Sequence, residues 1–275
     1  MVSTHKGRAA RIAAQYLRIR KIEDKFTSVL ALSHEKLQGK ITDMQTFRVL
    51  LVQSYSPRGN SNDTRAVDAS DFVDKVFGTA RDLGDVLAAL SKRGMLNYKN
   101  SHILRSIVDN YGSDDQELKE EMKKFDEDLA GYALATAMQD YVDVDSQQIK
   151  ESEADPELFS VLSIKVGENV TERTLQYVKE VWDSLARRLE IPHSALLFEK
   201  VADGCIEMVF KFPSHLTNFI VRRAQENTNY FWEQRVLGVT IANRCIYEGE
   251  APIPENKKKG RPSWRKVGVS HQWYP

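Results

Sequence analysis

Phe159-Ser160-Val161-Leu162-Ser163-Ile164-Lys165-Val166-Gly167 is the stretch on which the fold class turns. Before it the chain carries helical period; here it becomes β-like, and Gly167 closes the run. Asn169 and Glu172 then fit a capping box, and Leu175, Val178, Val181, Trp182, Leu185 and Leu189 follow as one helical stripe. Ile191-Pro192 breaks that helix. Ser194–Val201 and Cys205–Phe212 alternate like strands and are joined through Ala202-Asp203-Gly204, a hairpin signal. Pro213-Ser214 opens a second helix with Leu216, Phe219, Ile220 and Ala224 inward, and Val236–Tyr247 supplies a fourth strand. The order βαββαβ predicts a ferredoxin-like unit, two helices on one face of a four-stranded antiparallel sheet. Ile206, Met208, Phe210 and Phe212 should face the helices, and Cys205, Glu207, Val209 and Lys211 the other side.

The residues before this unit read as helices. Thr42-Asp43-Met44-Gln45 fits a capping box ahead of Phe47, Leu50 and Leu51. Ser56–Asp63 has turn chemistry throughout, and Asp68 or Ser70 can cap the helix carrying Phe72, Val73, Val76 and Phe77. A further helix (Leu83, Val86, Leu87, Leu90) ends at Gly94, and Asn100 or Ser101 opens the next, which ends at Gly112. Ser113-Asp114-Asp115-Gln116 caps the last, with Leu118, Met122, Phe125 and Leu129. The fold class expected is therefore α+β: an all-α bundle of six to seven short helices, then a ferredoxin-like βαββαβ domain.

At roughly 100–200 residues per domain, a chain of 275 residues suggests about two domains. Apolar residues at 41% and charged residues at 28% fit globular protein rather than disorder. Two cysteines cannot build a disulfide framework, so a reducing, cytoplasmic setting is expected. No apolar run approaches the ~18 residues of a membrane helix. The 39 basic and 39 acidic side chains cancel, but not locally. Residues 1–22 hold six cations and no acid, residues 255–275 hold six cations and Glu255, and residues 113–157 hold fifteen acids and four lysines. The division expected is a basic helical extension (1–22), a helical module (23–131), an acidic connector (132–157) acting as a hinge, the βαββαβ domain (158–249) and a basic disordered tail (250–275). The first block reads as the solvated face of a helix ahead of a mitochondrial presequence, because its apolar pattern runs on past Glu23 and Asp24.

Catalytic patterns are weak. The sheet face with Glu207 and Val209 lacks the aromatics that stack RNA bases. Gly167-Glu168-Asn169-Val170 offers one glycine and a carboxylate, a poor phosphate cradle. Cys205 with His193 or His215 could be drawn as a thiol–imidazole pair, but nothing beside Cys205 would lower its pKa. His34 and His102 have no second ligand at helical spacing and read as surface or boundary histidines. No metal ligand set and no cofactor motif stands out, so no cofactor is expected. The sharpest short motif is in the tail, where Lys257-Lys258-Lys259-Gly260-Arg261-Pro262, followed by Arg265 and Lys266, resembles an AT-hook core. Such a segment suits a narrow minor groove or a nuclear-import receptor, and its binding would weaken with salt.

Two stretches resemble multidomain signalling proteins expanded in sponges, cnidarians and other invertebrates. One runs Met95-Leu96-Asn97-Tyr98-Lys99-Asn100-Ser101-His102-Ile103-Leu104 and on through Val108-Asp109-Asn110-Tyr111-Gly112-Ser113 to Leu129. The other is the βαββαβ block with Gly204, Phe210-Lys211-Phe212-Pro213 and Leu237-Gly238-Val239-Thr240. The resemblance implies a death-fold-sized helical module beside a ferredoxin-like one, in immune- or apoptosis-like signalling. The function expected is a non-enzymatic adaptor that binds other proteins. Nucleic-acid binding through the tail is the alternative, and a small-ligand or acyl-phosphate enzyme on the βαββαβ domain the third.

Overall fold

The structure, a computed structural model, describes residues 2–58, 69–142, 157–167, 173–202 and 206–249. The helices ahead of the sheet include α1 (Val2–Leu37), α2 (Met44–Ser54), α3 (Ala69–Phe77), α4 (Leu83–Lys92), α5 (His102–Tyr111) and α6 (Gln116–Ala135). Local chemistry sets most of their ends. Asp43 Oδ1 accepts from Gln45 N, Asp82 Oδ1 from Asp85 N and Asp115 Oδ1 from Leu118 N, each filling an orphan donor of a first turn. Gly94, at φ 69°, takes the left-handed stop after α4 that a side chain would resist.

α1 is one continuous helix across the boundary expected at residue 22. Gln15, Ile19, Ile22, Phe26, Val29, Ser33 and Leu37 are buried, a stripe at helical spacing. α6 lies antiparallel against it. Phe26 meets Phe125 with ring centroids 5.5 Å apart, and Gln15 Nε2 donates to Tyr132 Oη at 2.7 Å. Charges repeat the register: Arg11 with Asp140, Lys25 with Asp128, Lys36 with Glu117 and Lys40 with Asp114.

The second half contains β1 (Phe159–Val166), α7 (Leu175–Arg188), β2 (Leu197–Ala202), β3 (Ile206–Pro213), α8 (Thr217–Glu226), α9 (Thr228–Glu233), β4 (Val236–Ile241) and β5 (Arg244–Glu248). The sheet is five-stranded and antiparallel, in the order β2-β3-β1-β4-β5. Ile206, Met208, Phe210 and Phe212 are fully buried and pair with Val166, Ile164, Leu162 and Ser160 of β1. The opposite face pairs Lys165 with Glu207 and Lys211 with Glu199.

Three expectations are corrected. The single strand over Val236–Tyr247 is two, because Ala242 (φ 46°) and Asn243 (φ 62°) form a two-residue left-handed turn between paired Ile241 and Arg244. The strand expected from Ser194 begins at Leu197, because His193–Ala195 is a 3-10 turn. Residues 132–142, expected as the start of a connector, are largely packed: Tyr132, Thr136, Met138, Tyr141 and Val142 are all buried. Backbone bonds from Met138 N to Arg173 O and from Leu175 N to Thr136 O tie this stretch to the entry of α7. The remainder of the expected connector, 143–156, lies outside the described residues, as does the expected cap at Asn169 and Glu172.

The halves share one hydrophobic core. Where the halves meet, Asn100, buried, accepts from Phe198 N through Oδ1 at 2.9 Å and donates to Phe198 O through Nδ2 at 3.1 Å. This side chain, expected as a helix cap, instead closes the outer edge of β2, and Ser101 stands at the N-cap of α5 without a side-chain bond. The C-terminus of α2 is finished from the other half: Ser194 Oγ donates to Ser54 O at 2.7 Å, and His215 Nε2 to Tyr55 O at 3.0 Å. Asn100→Ala should cost roughly 2–6 kcal/mol, since two buried backbone groups lose partners worth about 1–3 kcal/mol each. Urea unfolding should also stay a single transition, with tryptophan fluorescence and helical circular dichroism coinciding. Two separated transitions would contradict the shared core.

Candidate functional site

The seam between the halves holds a group of titratable side chains. α5 begins at His102 immediately after the Asn100 clasp, and α7 brings Asp183 and Trp182 to face it. The 3-10 turn after Pro192 presents His193. His102 meets the Trp182 ring edge-on at 4.9 Å and the His193 ring at 5.0 Å. His193 Nε2 lies 3.2 Å from Asp183 Oδ1, a close contact but off the geometry of an aligned hydrogen bond. Arg105, one turn after His102, bonds Asp126 through Nη2 and approaches His102 Nδ1 through Nη1 at 3.4 Å. Since Arg105 can only donate, His102 Nδ1 is the acceptor and its proton sits on Nε2.

Burial, with Arg105 and His193 adding to it, pushes the His102 pKa down to about 3. Asp183 is held down at about 2, chiefly by His193 and with help from Lys179. Asp126 is raised because its burial outweighs Arg105. The seam thus sets a neutral imidazole beside an ionised carboxylate and a guanidinium.

Two hollows flank His102 and Arg105. One, about 70 Å³, has walls of Trp182, Phe198, Tyr132, Tyr141, Leu175 and Val178, with Lys99 Nζ 5.4 Å above the Tyr141 ring. The other, about 320 Å³, is polar and lined by Gln53, Ser54, Arg58, Ser106, His193 and Ser194 among others. Its Ser194 hydroxyl is already committed to the Ser54 carbonyl. Among the described residues no cluster of three histidine, cysteine or acidic side chains could hold a metal ion, and no helix is long and apolar enough to cross a membrane.

The expected contact residues Lys257, Lys258, Lys259, Arg261, Arg265 and Lys266 lie outside the described residues, and so does Cys205. Of the two histidines considered with it, His193 sits in the seam, and His215 lies in the 3-10 turn before α8, bonded to the end of α2. Cys245 is exposed on β5. Gly167 has a packing explanation: a Cβ there would sit 3.2 Å from the Leu237 side chain. His102, read as a surface or boundary histidine, is a member of the seam group. Its neighbours come from α7 and the turn before β2, so spacing within its own helix carried no sign of them. Comparison with family models, curated proteins and solved structures finds no match to this chain.

A histidine kept neutral in the fold leaves stability untouched above its ordinary value of 6.5 and lowers it progressively below, as the unfolded chain takes up the proton first. Stability should therefore fall as pH drops from 6.5 toward 5, approaching roughly 1 kcal/mol per pH unit from His102. Asp183 adds its loss only below its ordinary 3.8, and Asp126 opposes it near the carboxylate range. His102→Gln keeps an acceptor for Arg105 and should flatten the dependence of the urea midpoint over pH 5–6.5. An unchanged slope would contradict the buried neutral imidazole.

Proposed function

We propose that this chain is a non-enzymatic protein-interaction body whose basic N-terminal helix docks an acidic surface on a protein partner. The observation that supports the reading is the outward face of α1. Leu17 is 62% exposed and Tyr16 43%, and Arg11, Arg18, Arg20 and Lys21 are exposed around them. The C-terminal part of the helix has Lys25 and Lys36 matched by α6, and Lys40 just beyond the helix pairs with Asp114. Toward the N-terminus Arg11 meets Asp140 only at 3.9 Å and is 67% exposed. Apolar anchors ringed by arginine favour a protein surface, where tyrosine and arginine are enriched and charge complementarity sets orientation.

The adaptor role and the signalling setting rest on the resemblance of the two stretches described above. Reading the second half as ferredoxin-like is supported by the pairing order β2-β3-β1-β4 with α7 and α8 in the crossovers, β5 being an addition at the edge. Because the halves share a core, the adaptor acts as one packed body and not as two modules spaced by a hinge. Nucleic-acid binding is the second reading, favoured by the same exposed arginines together with the basic tail.

The test is affinity capture with the full chain and with the Leu17→Ala/Arg18→Glu/Arg20→Glu variant. These positions are exposed, so the melting temperature should stay within a few degrees. Reproducible protein partners that survive nuclease treatment and are lost by the variant are expected. Capture that disappears with nuclease would move the assignment to nucleic acid, and capture indifferent to the variant would remove α1 from it.

A further inference from the structure

We infer that the smaller seam hollow is a binding site for a small uncharged carbonyl compound with a compact alkyl body. Its walls are aromatic and aliphatic, with Trp182, Phe198, Tyr132 and Val178 around a volume of about 70 Å³. An apolar cavity of roughly 150 Å³ takes benzene, so this one has room for a few heavy atoms. Trp182 is buried, and its Nε1 has no hydrogen-bond acceptor among the described residues. A buried donor left without an acceptor is costly, and a ligand oxygen would satisfy it. His102 lines the same hollow, and with Nδ1 taken by Arg105 it offers an N–H at Nε2. Neutral N–H donors call for an acceptor, and a carbonyl oxygen is one that brings no donor of its own.

Charge decides the rest. The charged residues of the lining are Lys99, Arg105 and Lys179. Each is answered by a carboxylate from outside it: Asp126 bonds Arg105, Asp183 pairs with Lys179 at 3.3 Å, and the charge of Glu23 acts on Lys99. Lys99 is held besides over the rings of Tyr98, Tyr141 and Phe198. An anionic ligand would therefore meet no open cation in the lining, and burying its charge there would be costly. A cationic ligand would meet no carboxylate among the lining residues. An uncharged body satisfies both limits, its apolar part against the walls and its one polar atom fixing the orientation. No residue of α1 lines the hollow, so its failure and the failure of the adaptor reading are distinguishable.

The probe is acetone, titrated into the full chain to about 50 mM, a range suited to so few ligand atoms. Acetate, the same shape with a charge, and isobutene, the same shape without the oxygen, are its comparators. The readout is the indole N–H resonance of Trp182, identified by its loss in Trp182→Phe. Acetone should move that resonance saturably and downfield, the direction that an acquired acceptor produces. Acetate should act at least about tenfold more weakly, and isobutene should give no downfield shift. Leu175 lines the hollow and is half-buried, so Leu175→Phe should fold, fill the space and abolish the acetone shift. If Trp182→Phe fails to fold, the resonance is identified as the one that Leu175→Phe silences. Absence of a saturable shift, or a shift that survives Leu175→Phe, overturns the site. Acetate matching acetone overturns the uncharged ligand, and a downfield shift with isobutene overturns the acceptor.

Discussion

The bidentate clasp of Asn100 on Phe198 is the constraint around which the two halves are arranged. β2 ends the sheet, and an edge strand presents backbone donors and acceptors that need partners. The register of β2 on β3 slips between Phe198 and Lys200, so the clasp falls beside the bulge. One side-chain amide supplies both the acceptor and the donor that a neighbouring strand would have offered. The same contact holds Lys99 above the Phe198 ring and starts α5 where His102 meets Trp182. Local preference gives way here: an asparagine well suited to capping α5 closes the sheet instead.

The exchange runs in both directions. The end of α2 leaves carbonyls without intrahelical partners, and Ser194 and His215 of the second half take them up. Arg58 N donates to Glu190 O close by. Each half thus satisfies polar groups that the other would bury unpaired. That reciprocity, more than apolar area alone, argues against independent folding, since separation would leave buried backbone groups on both sides. Charge follows the same logic along α1 and α6. The net charge of zero conceals a basic helix laid antiparallel on an acidic one, with ion pairs in register. Exposed pairs of this kind contribute little each, about 0–1 kcal/mol, so the ladder selects orientation while Ile19, Ile22, Phe26 and Phe125 supply the adhesion.

Much of the element order was legible in the sequence, because helical and strand periods are local. Phe159–Val166 and the stripe from Leu175 fall as read. The β4–β5 turn escaped because Ala242 carries no turn signal: alanine is disfavoured in the left-handed region, and only Asn243 suits it. The structure holds that turn with a bond from Ala242 N to Val161 O, a partner far away in sequence. The packing of residues 132–142 escaped for a related reason. Their acidic, polar surroundings suggested a linker, but Met138, Tyr141 and Val142 find apolar partners only once both halves are present. The seam group was the least legible part. His102, Asp183 and His193 lie on three elements with no spacing rule between them.

The seam is where these constraints meet, and its chemistry follows from them. Aromatic side chains from both halves converge on β2: Tyr141 from the first, with Phe198, Trp182 and Phe210 from the second. The smaller hollow opens beside these rings, with Trp182, Phe198 and Tyr141 among its walls. The polar groups there are equally constrained. The turn that brings Ser194 to the end of α2 also carries His193 to the seam, where its ring meets that of His102 at a tilt beside Asp183. An imidazole so placed is kept neutral by the burial that the shared core imposes. Solvation of that ring, aromatic packing and the capping of α2 therefore meet at one place, the seam that the Asn100–Phe198 clasp closes.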